Sequence, residues 1–204
     1  MIKPIIFSEW YKGINKSRLL GWDNLVNCDI HSEIGYITPQ LALEIDATTN
    51  KPDEATIMCK TPLGTIYAFS TTTGKIWKYL SGAWSVVTAN ANTAHCGAKY
   101  YNGKIYYSTS TKLGRFTAET DATRNDSLHT WSNTSVYRPM EEINLTLFIG
   151  NGKDVGSVNS NETVADSSLD TPPNCTITAL AGVGVDLLIG TVFGSNVNTC
   201  KAFL

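Results

Sequence analysis

The sequence has no apolar run approaching the 18 residues a membrane-spanning helix needs, so a transmembrane helix is excluded. Its first residues, MIKPIIFSEW, lack the apolar core of a signal peptide. Charge is scarce: charged residues are 17% of the 204, and the net charge is -2. No basic run suggests nucleic acid, and no acidic run suggests a solvating tail. The five cysteines, Cys28, Cys59, Cys96, Cys175 and Cys200, are odd in number and form no C-x-x-C. A disulfide framework and a cysteine metal cluster are therefore poor readings. The three histidines, His31, His95 and His129, have no metal-ligand spacing. No G-x-S-x-G, H-E-x-x-H or phosphate-loop sequence occurs. Gly182-Val183-Gly184 lacks the further glycine and the strand-helix context of a dinucleotide site, and reads as a hairpin connection.

What fills the chain is Thr, Ser, Asn, Gly and aromatic residues. Gly64 to Thr88 reads as three strands joined by polar turns, with Ser81-Gly82 as a tight hairpin. The unit returns. GTIYAF at Gly64 is matched by GKIYYS at Gly103, LTLFIG at Leu145 and DLLIG at Asp186. Aligning Ile66, Ile105, Leu147 and Leu187 gives spacings of 39, 42 and 40 residues. A period of about 40 residues is that of a propeller blade. The predicted fold class is all-β and β-propeller-like, built of repeated antiparallel meanders in an incomplete ring. Residues 1–53 fall outside the repeat and are expected to form an extended lead-in packing on the propeller. Residues 54–204 are expected to form three full blades and a partial fourth.

Within the blades, inner strands are expected at Ala55 to Lys60, His95 to Tyr101, around Met140 and after Cys175. Residues 119–127 are predicted to be a polar loop, followed by an outer strand at His129 to Ser135. Trp131-Ser132 there echoes Trp84-Ser85, 47 residues earlier. Gly156 aligns with Gly114.

No catalytic, cofactor-binding or metal-ligating residue is assigned. His95 and Cys96 are adjacent, but neighbouring strand residues point to opposite faces, which argues against a thiol dyad. Glu119, Asp121 and Asp126 do not match a calcium loop. Asp154 and Asp186 beside glycine-rich turns read as turn caps. The contacts left for a ligand or partner are Trp77, Trp84 and Trp131, with Glu119, Asp121 and Asp126. Against that stands the plainer reading of the aromatic residues as packing between blades. In Tyr106-Tyr107, alternation turns one ring to each face.

Two segments carry a resemblance. One is Trp10-Tyr11-Lys12-Gly13-Ile14, with Gly21-Trp22, Asn27-Cys28-Asp29-Ile30 and Gly35. The other is Leu187-Leu188-Ile189-Gly190 followed by Gly194-Ser195-Asn196-Val197-Asn198. Together they resemble tailed-bacteriophage structural proteins with propeller domains. That resemblance implies a non-enzymatic virion component of the tail or neck, made in the host cytoplasm. Its partners would be other virion proteins in a homo-oligomer or hetero-assembly, with no cofactor, nucleic acid or membrane. Two rival readings stay open on the residues: a carbohydrate- or receptor-binding propeller, contacting a host-surface glycan, and a fragment of a propeller glycoside hydrolase.

Overall fold

The structure is a computed structural model, and it describes residues 28–29, 38–39, 51–54, 56–88, 93–194 and 196–203. The chain divides into two units, Met1–Ala47 and Thr48–Leu204. In the first, β1 (Cys28–Asp29) pairs antiparallel with β2 (Thr38–Pro39). Of residues 1–53 only 28–29, 38–39 and 51–53 are described, and the packing expected of that lead-in lies outside them.

The second unit is a series of four antiparallel meanders, which we number as blades. Blade 1 is β3 (Thr56–Lys60), β4 (Ile66–Ser70), β5 (Ile76–Leu80) and β6 (Ala83–Thr88). Blade 2 is β7 (His95–Tyr101), β8 (Lys104–Thr109), β9 (Lys112–Thr117) and β10 (Asn125–Thr130). Blade 3 is β11 (Met140–Ile143), β12 (Thr146–Asn151), β13 (Asp154–Val158) and β14 (Val164–Asp170). Blade 4 has three strands, β15 (Cys175–Val183), β16 (Asp186–Phe193) and β17 (Asn196–Phe203). In every blade the strands lie in chain order, and no ring is closed among the described residues.

The turns follow from their residues. Ser81 and Gly82 both take positive φ, as a two-residue hairpin requires. Gly152, at φ +69, follows Asn151 in the turn that joins β12 to β13.

Strand alternation sends each blade's side chains into two seams. Tyr67, Phe69 and Ile76 of blade 1 pack against Ile105, Tyr107 and Phe116 of blade 2. Tyr101, Tyr106 and Leu113 of blade 2 turn the other way, onto Met140, Leu147, Ile149 and Val158 of blade 3. Val155 then meets Ile177 and Ile189 of blade 4. Tyr106 and Tyr107 do face opposite seams, as alternation requires.

One strand departs from expectation. The outer strand of blade 2 runs from Asn125 to Thr130, starting four residues before the predicted His129. Its leading residues, Asn125, Asp126 and Ser127, are all exposed, so the strand carries no apolar alternation there. Trp131 lies beyond it, in the crossover to blade 3, whereas Trp84 sits within β6. The echo between the two tryptophans is therefore one of sequence only.

Candidate functional site

The inner strands of a propeller are where residues of several blades converge. Here the ladders fix which residues those are. Cys59, Lys99 and Glu141 each stand opposite an equivalent second-strand residue: Tyr67, Tyr106 and Phe148. One step further, Lys60, Tyr100 and Glu142 stand opposite Ile66, Ile105 and Leu147. The two rows of three are therefore at matching heights on β3, β7 and β11.

Five of the six, Cys59, Lys60, Lys99, Tyr100 and Glu142, border an open hollow of about 550 Å³. Lys60 and Glu142 are exposed. Lys99 is half-buried, and its Nζ donates to Glu141 Oε2 at 2.7 Å. The ion pair ties β7 to β11 and limits the freedom of the ammonium. Burial pushes the Cys59 thiol up to about 12. At neutral pH it is a protonated, weakly nucleophilic group. What remains is two cations and the exposed Glu142 carboxylate around one cavity, a set suited to moving a proton and holding a developing negative charge.

At the opposite end of the blades, Arg138 organises the crossover between blades 2 and 3. Its side chain is fully buried. Nη1 donates to Asn151 Oδ1 at 2.6 Å and Gly150 O at 3.3 Å. Nη2 donates to Ser110 O at 2.7 Å and to Asn133 O. The guanidinium lies 5.0 Å from the centre of the Trp131 ring. Burial pushes it down to about 10, with no carboxylate bonded to it among the described residues. Beside this crossover a second hollow, of about 410 Å³, is lined by Thr134 to Tyr137, Gly152, Thr176, Val192 and Gly194.

The residues expected to meet a ligand are engaged within the fold. Trp77 is buried, with Lys75 Nζ 5.8 Å from its ring centre. Trp84 is half-buried and its ring centre is 5.1 Å from that of Tyr79. Trp131 is buried, and its indole N–H donates to Ser108 Oγ at 3.0 Å. Glu119 accepts from Thr61 Oγ1 at 2.5 Å and from Thr65 Oγ1. Asp121 accepts from Tyr67 at 2.6 Å and from Lys78 at 3.0 Å. Asp126 accepts from Tyr107 and from Arg124 Nε at 2.7 Å. These carboxylates raise both phenols further, after burial, which acts most strongly.

His95 is buried, bonded through Nδ1 to Ser70 O at 3.1 Å, and burial pushes it down to about 4. Asp154 is bound by Asn133 Nδ2 at 3.0 Å and Lys153 Nζ at 2.5 Å. No group of three metal-ligating side chains gathers among the described residues. Sequence reasoning missed Lys60, Lys99, Glu141, Glu142 and Arg138. The first four could have been found by asking which charged residues fall on the predicted inner strands.

No family model matches the chain, and no curated protein matches it either. Solved structures do. Streptogramin B lyase superposes with TM-score 0.58 and 15% identity, over 83% of this chain and 58% of that one. The computationally designed Ika4 protein gives TM-score 0.55 at 7% identity, over 80% of this chain and 98% of its own. YCF48 bound to D1 peptide gives TM-score 0.50 at 11% identity, over 68% of this chain and 48% of that one. This chain thus spans little more than half of the lyase. Identities this low establish the fold, not the chemistry.

The bacteriophage virion reading is corrected by these likenesses. The fold is shared with a lyase, so neither a tail or neck component nor an absence of catalysis follows from it. The physical reason is that the resemblance rested on blade grammar. Leu187-Leu188-Ile189-Gly190 is simply the second strand of blade 4, and Gly194, at φ +63, opens the turn after it. Any antiparallel meander needs such a strand and turn. Of the other segment, only Cys28 and Asp29 lie among the described residues.

Proposed function

We propose that this chain supplies the reacting blades of a propeller enzyme with lyase or hydrolase chemistry. The reading is carried by one observation: three successive inner strands place Lys60, Lys99 and Glu142 around a single open hollow. The fold shared with streptogramin B lyase adds support. Glu142, exposed on β11, would take the proton or activate the water. Lys60 and Lys99 would stabilise negative charge developing on a carbonyl oxygen. Glu141 would hold Lys99 in place through the 2.7 Å ion pair. The earlier glycoside hydrolase alternative is thereby broadened to propeller enzymes in general, because the hollow is lined by cations as well as a carboxylate.

The test is turnover. The purified chain is incubated with a streptogramin B and with a panel of simple esters, with and without added divalent cation, and products are read by mass spectrometry. Turnover that drops by about 100-fold or more in Glu142→Gln, with an unchanged circular dichroism spectrum, supports the reading. Turnover of neither substrate class, or turnover indifferent to Glu142→Gln and Lys60→Gln, overturns it.

A further inference from the structure

Two blades bury a tyrosine beside a cation at the same ladder position. Across β4 and β5, Tyr67 faces Lys78; across β8 and β9, Tyr106 faces Arg115. Both tyrosines are fully buried. Tyr67 is satisfied twice over. Its hydroxyl donates to Asp121 Oδ1 at 2.6 Å and accepts the Glu119 N–H at 3.0 Å. Lys78 Nζ donates to Asp121 Oδ2 at 3.0 Å and to Glu119 O. These partners come from the loop after β9, which Thr117 N–H closes by donating to Ala122 O.

Tyr106 and Arg115 meet the corresponding loop of the next blade, after β13. There Asn159 N–H donates to Thr163 O, a span one residue shorter. That loop brings a single carboxylate, Glu162, where the other brings Glu119 and Asp121. Two cations converge on it. Arg115 Nη2 lies 2.8 Å from Oε2, and Lys104 Nζ lies against Oε1. All three side chains are largely buried, with Arg115 only 19% exposed. The Tyr106 hydroxyl and the Arg115 Nε–H are left buried with no partner among the described residues. Native interiors rarely tolerate such donors unpaired, because the lost hydration is not replaced.

We propose that the Tyr106 hydroxyl, Arg115 Nε and the Lys104 ammonium bind one small monovalent anion, such as chloride, between blades 2 and 3. The two unpaired groups are both donors, so the site is short of an acceptor. Two cations sharing one carboxylate also leave a positive charge in a partly desolvated place, which is costly without a counter-charge. Burial and then Arg115 push the Lys104 ammonium down, in keeping with that shortage. A water could accept both hydrogens but would leave the charge unbalanced; an anion answers both needs. The enclosure selects a small ion over a phosphate or a substrate carboxylate. In blade 2 the ion would do what Asp121 does for Tyr67 and Lys78 in blade 1. The proposal is independent of the enzymatic reading, because none of these residues borders the inner-strand hollow.

Urea unfolding of the unaltered chain tests it, with sodium chloride exchanged for sodium gluconate at constant ionic strength. The midpoint is expected to rise with chloride along a single-site saturation curve. Tyr106→Phe keeps the ring and removes one donor, so the apparent chloride affinity should fall at least tenfold. Arg115→Gln removes the surplus charge and should abolish the response. Should Arg115→Gln not fold, Tyr106→Phe carries the test alone. Coincident curves in chloride and gluconate would mean that water or nothing fills the site, and overturn the proposal. A chloride response that Tyr106→Phe leaves unchanged places the ion elsewhere and overturns it too.

Discussion

Replacing Arg138 with Met tests how far one buried cation holds the crossover together. The side chain is fully enclosed, and its two terminal nitrogens serve four acceptors: Gly150 O, Asn151 Oδ1, Ser110 O and Asn133 O. Met fills much of the same space but donates nothing. The oxygens it abandons belong to three separate segments: Gly150 and Asn151 are buried, while Ser110 O keeps the Ser135 N–H at 3.0 Å. Each buried acceptor left unpaired costs roughly 1 to 3 kcal/mol. Against this, Arg138 is itself costly to bury, since among the described residues no carboxylate is bonded to it, and its removal returns part of that desolvation. The net loss is expected to be about 4 kcal/mol, a large share of the 5 to 15 kcal/mol typical of a domain. Urea unfolding followed by tryptophan fluorescence measures it directly, because Trp131 lies against the guanidinium. Arg138→Lys keeps the charge but reaches fewer of the acceptors, and should fall between the two. A Met variant within about 1 kcal/mol of the parent would show that the four bonds merely offset the cost of burial.

Two further outcomes follow from packing and protonation. Gly156→Ala should cost about 1 to 3 kcal/mol by the same assay, because a Cβ there would lie 2.6 Å from Trp131 Cζ3 and 2.9 Å from Ala165 O; the ring cannot withdraw without losing its bond to Ser108, and no loss of stability would mean the crossover yields freely. His95 is held neutral, its pKa lowered from 6.5 to about 4, so the unfolded chain takes up its proton first as pH falls. Its contribution is complete above pH 6.5 and is lost down to about pH 4, amounting to about 3 kcal/mol. Urea midpoints at pH 7, 5.5 and 4 should fall less steeply in His95→Gln, and an identical pH dependence would refute the assignment.

The repeat was legible because blade seams impose a rule the sequence must obey. Ile66, Ile105 and Leu147 fall at equivalent ladder positions, opposite Tyr79, Phe116 and Val158. KLGRFT at Lys112 is a strand over its full length for the same reason: Leu113 and Phe116 must reach buried cores on opposite faces. Gly156 could be aligned with Gly114 because each gives up its side chain to an aromatic ring, Trp131 in one case and Tyr107 in the other. Where a strand has no buried face the rule lapses, and the start of β10 at Asn125 reads as loop. The carboxylates of the 119–127 stretch misled differently. Glu119 and Asp121 look like surface groups in a polar run, yet their carboxylates receive Thr61, Thr65, Tyr67 and Lys78, more than 40 residues upstream. Only the repeat frame brings those partners together. Applied once more, the same frame places Lys99 on Glu141 and sets Lys60 level with Glu142, so the candidate site was written in the period, although no local motif marks it. A site assembled one residue per blade leaves no signature at short range, which is why searching for catalytic motifs passes over it.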